Sequence, residues 1–289
     1  MNHQEIQERI TALVVKQLEQ GVAPWRKPFT TSGVLPTSLT TGKTYSGINL
    51  LILSILGREY SQPLWLTYRE AERRGGHVRK GQHGYPVVKW GKYDKLNKET
   101  GETSPAFYLR EFNVFNIEQC EGVAVEESFT AKQPVATLEG VTQILDSYTA
   151  KPTIYHRASA DAFYSKMTDS ITLPLLEQFN SPEEYAHTLA HELVHSTGHE
   201  SRLDRFTEES QPAIFGSPVY AKEELVADIG AQMLLASVGI EGDLNNSATY
   251  VAGWLRALKN DSSLILSAST KAKNASEYIL AKVKEEVNA

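Results

Sequence analysis

Residues 181–198, SPEEYAHTLAHELVHSTG, constrain the chain more than any other segment, because they carry a complete set of helix boundaries around a chemically loaded core. Ser181 can cap the helix, Pro182 takes its first position, and Glu184 three residues after the cap completes a capping box. Gly198 is placed to stop it. On such a helix His191 and His195 lie one turn apart on one face, so both imidazoles can reach a single ion about 2 Å from each nitrogen. Glu192 stands beside that pair. Its carboxylate cannot easily join the same ion, but it can hold a water next to it and accept a proton as the water attacks a carbonyl. Such a pattern arises by chance in roughly one of a few hundred chains of this size, so its surroundings have to support it.

A third ligand is required. A third histidine six residues after His195 would fall at Ser201, and His199 is out of register. Downstream, Pro218 after Ser217 repeats the helix-start signal ahead of VYAKEELVADIGAQMLLASV, with Gly239 at the end. On this helix Glu224 and Asp228 are one turn apart and share a face. The run Glu223-Glu224-Leu225-Val226-Ala227-Asp228 resembles the Asn-Glu-x-x-Ser-Asp element of thermolysin-like metallopeptidases, with Glu223 for Asn and Ala227 for Ser. The resemblance implies that Glu224 is the third metal ligand and that Asp228 orients a ligand histidine. Two imidazoles and a carboxylate leave a fourth position open, which favours one divalent zinc ion, with manganese or iron able to occupy the same ligands.

Tyr220, one turn before Glu224, and His199, just past the first helix, are candidate oxyanion donors. Packing and a helix-dipole contact are the plainer roles for them. His187 is expected to face solvent. Phe163-Tyr164-Ser165 is expected to form an edge strand able to pair with an extended peptide.

The chain has 289 residues, comfortable for two domains. No apolar stretch approaches the roughly 20 residues of a membrane-spanning helix, so no membrane partner is expected. The N-terminus lacks the pattern of a signal peptide, and the single cysteine, Cys120, has no partner for a disulfide or a sulfur metal site. A cytoplasmic protein with a structural Cys120 is the expectation.

Small, acidic and proline residues gather at 121–140, which suggests an N-terminal domain over residues 1–125, a linker over 126–138 and a metallopeptidase domain over 139–289. In the first domain, Ile6, Ile10, Leu13, Val14 and Leu18 have helical spacing, Gly47 precedes a buried helix, and Thr67 can cap a short one. HVRKGQHGYPVVKWGKYD and PAFYLREFNVFN alternate around a KETGE turn, as antiparallel strands do. The second domain should place helices on a small sheet in which FYS and SITLP form a hairpin. The fold class is therefore α+β: N-terminal helices with a small antiparallel sheet, then a minimal thermolysin-like metallopeptidase domain.

Charge separates the two parts. Residues 1–130 hold 16 Lys+Arg and 14 Asp+Glu; of the totals of 29 and 35, that leaves 13 and 21 for the remainder. Within residues 58–98 the cations Arg69, Arg73, Arg74, Arg79, Lys80, Lys89 and Lys92 interleave with Trp65 and Trp90, and Trp25, Arg26 and Lys27 repeat the combination upstream. Rings on which bases stack, set among cations that follow phosphates, suit single-stranded nucleic acid.

TTGKTYSGIN, PLWLTYREAERRGGHVRKGQHGYPVVKW and FNVFNIEQCEG resemble the N-terminal single-stranded-DNA-binding domain of ArdC-type antirestriction proteins, also found in TraC-type primases. AHELVHSTGHESRLDR followed by YAKEELVADIGA resembles the metallopeptidase domain those proteins carry. The resemblance implies a plasmid-type protein that binds incoming single-stranded DNA and protects it from host restriction, with an unknown protein substrate for the peptidase. Alternatives are a DNA-binding protein with a silent metal domain, a DNA-associated protease with another role, or a primase fragment. The last would need an acidic polymerase motif that the sequence lacks, and DNA mimicry would need a much stronger negative balance than a net charge of −6.

Overall fold

The computed structural model describes residues 3–20, 35–57, 59–96, 103–125, 137–206, 218–240 and 248–281. The fold is α+β. Helix α1 (His3–Leu18) buries Ile6, Ile10, Val14 and Leu18, a stripe at the helical repeat. Strand β1 (Thr37–Ser38) leads to α2 (Gly47–Leu56), which is buried along nearly all of its length. Strand β2 (Leu64–Leu66) and α3 (Tyr68–Arg73) follow, the latter capped as expected by the Thr67 side chain, which accepts from the N–H of Glu70. After β3 (His77–Val78), strands β4 (Tyr85–Leu96) and β5 (Thr103–Asn116) form a long antiparallel ribbon, in register from Tyr85 opposite Val114 to Leu96 opposite Thr103. Strand β6 (Cys120–Glu121) pairs with β3.

The sheet order is β1-β2-β5-β4. It departs from the expected antiparallel sheet at β1, which lies parallel to β2. Cys120 is half-buried, and burial pushes its thiol pKa up, as suits a structural residue. The KETGE turn and most of the expected linker lie outside the described residues, while Thr137 and Leu138 already belong to α4 (Thr137–Ser147).

Strands β7 (Thr153–His156), β8 (Phe163–Ser165) and β9 (Ser170–Leu173) form a second sheet in the order β7-β9-β8. As expected, β8 is an edge strand and makes a hairpin with β9. The sheet lies beside α5 (Pro182–Ser196), and α6 (Pro218–Ser237), α7 (Ala248–Asn260) and α8 (Leu264–Ile279) complete the structure. Helix α6 is enclosed by α5, α7 and α8, so Leu225 through Leu235 are buried on every side.

One core runs through both parts of the chain. Side chains of α1 and α2 join it together with those of α5, α6, α7 and α8. Helix α1 packs on α7 and α2 on α8, and polar contacts fix the first junction. The Thr11 hydroxyl donates to the carbonyl of Ser262 at 2.7 Å, and Lys259 pairs with Glu19 at 2.6 Å. On the other side of α2, the Asn49 side chain clamps the backbone of Val88, accepting from its N–H and donating to its carbonyl at 2.7 Å each. The ribbon is thereby anchored to the helices that enter the common core.

Candidate metal centre

The start of α5 is built as its sequence dictates, with one shift. Ser181 accepts from the N–H of Glu184, but the Glu184 carboxylate reaches past the cap to the N–H of Asn180. The helix carries His191 and His195 to one side, where α6 presents Glu224. The Nε2 of His191 is 3.3 Å from Glu224 Oε2, the Nε2 of His195 is 3.4 Å from Oε1, and the two ring nitrogens are 3.1 Å apart. One donor atom from each of the three lies within 4.8 Å of the others. Glu192 is buried at 6% exposure and acts electrostatically on His195.

Each imidazole has a second carboxylate behind it. Glu223 Oε1 is 3.3 Å from Nδ1 of His195. Its carboxylate also accepts from Arg205, whose guanidinium donates in turn to the Val194 carbonyl and the Thr197 hydroxyl at the end of α5. Asp228, fully buried, has Oδ1 4.0 Å from Nδ1 of His191 and 3.6 Å from Nε2 of His187. His187 is buried against this acid and does not face solvent as its position in the sequence suggested. One turn before His191, it shares the side of α5 that meets α6, and only its burial there was hidden from the sequence.

Two acids, Glu223 and Glu224, face the His195 ring in this buried space. Burial works against a charged ring at His195, yet hydrogen bonds to Glu223 and Glu224 outweigh it and push its pKa up to about 10. Burial likewise opposes a charged Glu224, and both histidines overcome it, holding its carboxyl far below the usual range. The site therefore demands positive charge among its donors. A divalent cation fits that demand with two nitrogens and a carboxylate, the donor chemistry of a catalytic zinc site.

The other candidates are placed as follows. Tyr220 is half-buried one turn before Glu224 on α6. His199 is held by Ser201, whose hydroxyl and backbone N–H both approach its Nδ1, next to the cluster of Arg202, Tyr164 and Asp169. Trp65 is 2% exposed and packs over Gly57, where an added Cβ would come within 2.4 Å of its ring. It belongs to the core and offers no face to a base. Arg74 is also structural, donating to Glu70 and to the carbonyls of Leu39 and Ala124. Arg73 pairs with Glu70 and Arg79 donates to the carbonyl of Glu118, although both remain at the surface. Arg69, Lys80, Lys89, Trp90 and Lys92 are exposed, whereas Trp25, Arg26 and Lys27 lie outside the described residues.

Sequence reasoning missed the action of Glu223 and Arg205 on His195. The only signal was the departure of Glu223 from the asparagine of the thermolysin-like pattern.

Comparison with known proteins identifies both parts of the chain. Residues 4–115 match the family model of the N-terminal domain of anti-restriction factor ArdC, and residues 141–271 match a zincin-like metallopeptidase family. The crystal structure of the antirestriction ArdC protein from plasmid R388, described as metal-free, is 35% identical over 96% of this chain and 98% of that one, with a TM-score of 0.80. A Mn(II)-bound structure of that protein gives 0.77 at 34% identity, covering 96% of this chain and 97% of the other. Among curated proteins, a DNA primase TraC of Escherichia coli is 36% identical over 96% of this chain. The chain spans only 27% of that primase's length, and 20% of a second TraC.

Proposed function

The chain belongs to the ArdC family of antirestriction proteins, and on that premise we propose that it binds single-stranded DNA through its N-terminal part and hydrolyses peptide bonds at the metal centre, protecting incoming DNA from host restriction in the cytoplasm. The observation that carries the reading is the meeting of His191, His195 and Glu224 with Glu192 beside them. Zinc is the ion the donor set favours, and the Mn(II) form of the R388 protein supports manganese as an alternative. Held by His191, His195 and Glu224, the ion would supply Lewis acidity toward a substrate carbonyl and acidify water at neutral pH.

The remaining work falls to protein groups. Glu192 accepts the proton of the attacking water and returns it to the leaving amine. Glu223 and Asp228 keep the two imidazoles turned toward the ion, one acid for each ring. Tyr220 and His199 are the candidate donors to the developing oxyanion. The outer edge of β8, unpaired among the described residues, can hold the backbone of an extended protein substrate by strand addition. The exposed cations Arg69, Lys80, Lys89 and Lys92, with Trp90, support strand binding by the first part. Among the described residues no helix is long and apolar enough to cross a membrane.

The test uses the full chain loaded with zinc or manganese and an unfolded protein as substrate, with and without single-stranded DNA. Cleavage that Glu192→Gln abolishes while metal content stays at about one ion per chain is the expected result. No cleavage with either metal, in either condition, would remove the peptidase from the reading.

A further inference from the structure

Side chains alternate along the β4–β5 ribbon, and directly opposed residues of an antiparallel pair share a face. One face turns toward α1: Trp90 meets the His3 ring edge-on at 5.0 Å between centroids, and Glu111 pairs with Arg9 at 2.7 Å. The other face carries Lys89 directly opposite Arg110. Like charges facing each other across a ladder destabilise it. Between Val87 and Tyr93 on β4, and between Ala106 and Phe112 on β5, this face bears no acid, and neither cation forms an ion pair among the described residues.

Exposed rings flank the cations. Tyr93 is 49% and Phe112 44% exposed. Tyr108 lies across Gly91, where an added Cβ would come within 2.1 Å of its ring, so the glycine makes room for an aromatic laid against the strand. The Tyr108 and Tyr93 centroids are 6.3 Å apart, and the Arg110 guanidinium is 4.9 Å from the centre of Tyr108. Unneutralised cations beside rings that lie along an extended ribbon combine an electrostatic track with stacking surfaces.

We propose that this face of the ribbon is the single-strand site, with phosphates at Lys89 and Arg110 and bases against Tyr93, Tyr108 and Phe112. The assignment rests on the strand-binding reading above and narrows it to one surface. The pairing repulsion of Lys89 and Arg110 is relieved when a phosphate lies between them.

The test is a salt titration of a labelled oligothymidine with the full chain. The double substitution Lys89→Gln and Arg110→Gln should weaken binding roughly tenfold or more and flatten the salt slope by about 1.4, from two contacts of about 0.7 each. Tyr93→Ser should weaken binding by about tenfold at an unchanged slope. Without DNA, the double variant should melt no lower than the wild type, because a repulsion has been removed. If the wild type does not bind single strands, the underlying reading fails. If it binds and these variants match it, while Trp90→Ser or Lys92→Gln on the opposite face weakens it, the reading stands and this site is wrong. A loss of affinity in the double variant at an unchanged salt slope would also overturn it.

Discussion

Glu223 is adjacent in sequence to one candidate metal ligand, Glu224, and acts on another, His195. Its carboxylate turns to Nδ1 of His195 and is itself fixed by Arg205, which also ties down the last turn of α5. Removing its charge should leave His191, His195 and Glu224 in place but His195 less well aimed. Glu223→Gln is therefore expected to lower metal affinity roughly tenfold in competition with a chromogenic chelator. Glu224→Ala should lose far more, and Glu192→Gln almost nothing. Wild-type affinity in Glu223→Gln would show that the contact does not position His195. The grouping of His191, Glu192 and His195 was legible because a helix fixes their spacing locally. Arg205 and the buried side of His187 were not, since both depend on how α5 meets α6.

Local chemistry also decides how well elements could be read. Thr67 and Ser181 were legible as caps because a hydroxyl in front of a helix has one obvious use. Ser181→Ala should cost about 1 kcal/mol, read as a lower midpoint in thermal or urea unfolding. The parallel pairing of β1 was hidden, since a strand of two residues carries no signal of direction. Trp65 was misplaced for a related reason: Leu64 and Leu66 beside it make a strand of only three residues, too short to show which sides are buried, and only the fold sets it over Gly57. Helix α3 offers a pH test. Hydrogen bonds from Arg73, opposed by burial and aided by Arg74, hold the Glu70 carboxyl below the usual glutamate range. A lowered folded-state pKa contributes stability above the unfolded value of about 4.3, and that contribution disappears as pH falls through the lowered value. Glu70→Gln should thus be less stable than wild type at pH 7, with the gap narrowing at acid pH. A gap independent of pH would mean the carboxylate contributes by shape alone.

At the scale of the molecule, the core shared by α1, α2 and the helices α5 to α8 sets the behaviour. Leu51 on α2 is fully buried in it, so Leu51→Ala should cost about 2–5 kcal/mol. Because α2 contacts both the ribbon and α8, that loss should appear in one transition, at the same denaturant concentration by a ribbon probe and by metal release. Two separate midpoints would show that the parts unfold independently. Composition suggested a division near residues 126–138, and it could not reveal this junction, because the apolar faces of α1 and α2 look the same whichever partner covers them. The common core also bears on inheritance. A recombination event that copied only the ribbon and its two helices into another gene would deliver them with Ile6, Ile10, Leu50 and Leu51 uncovered, a sticky fragment for the recipient cell to degrade. Exchange between genes is thus expected to preserve the whole stretch from α1 to α8, fused within longer chains or standing alone, with its two parts travelling as one heritable unit.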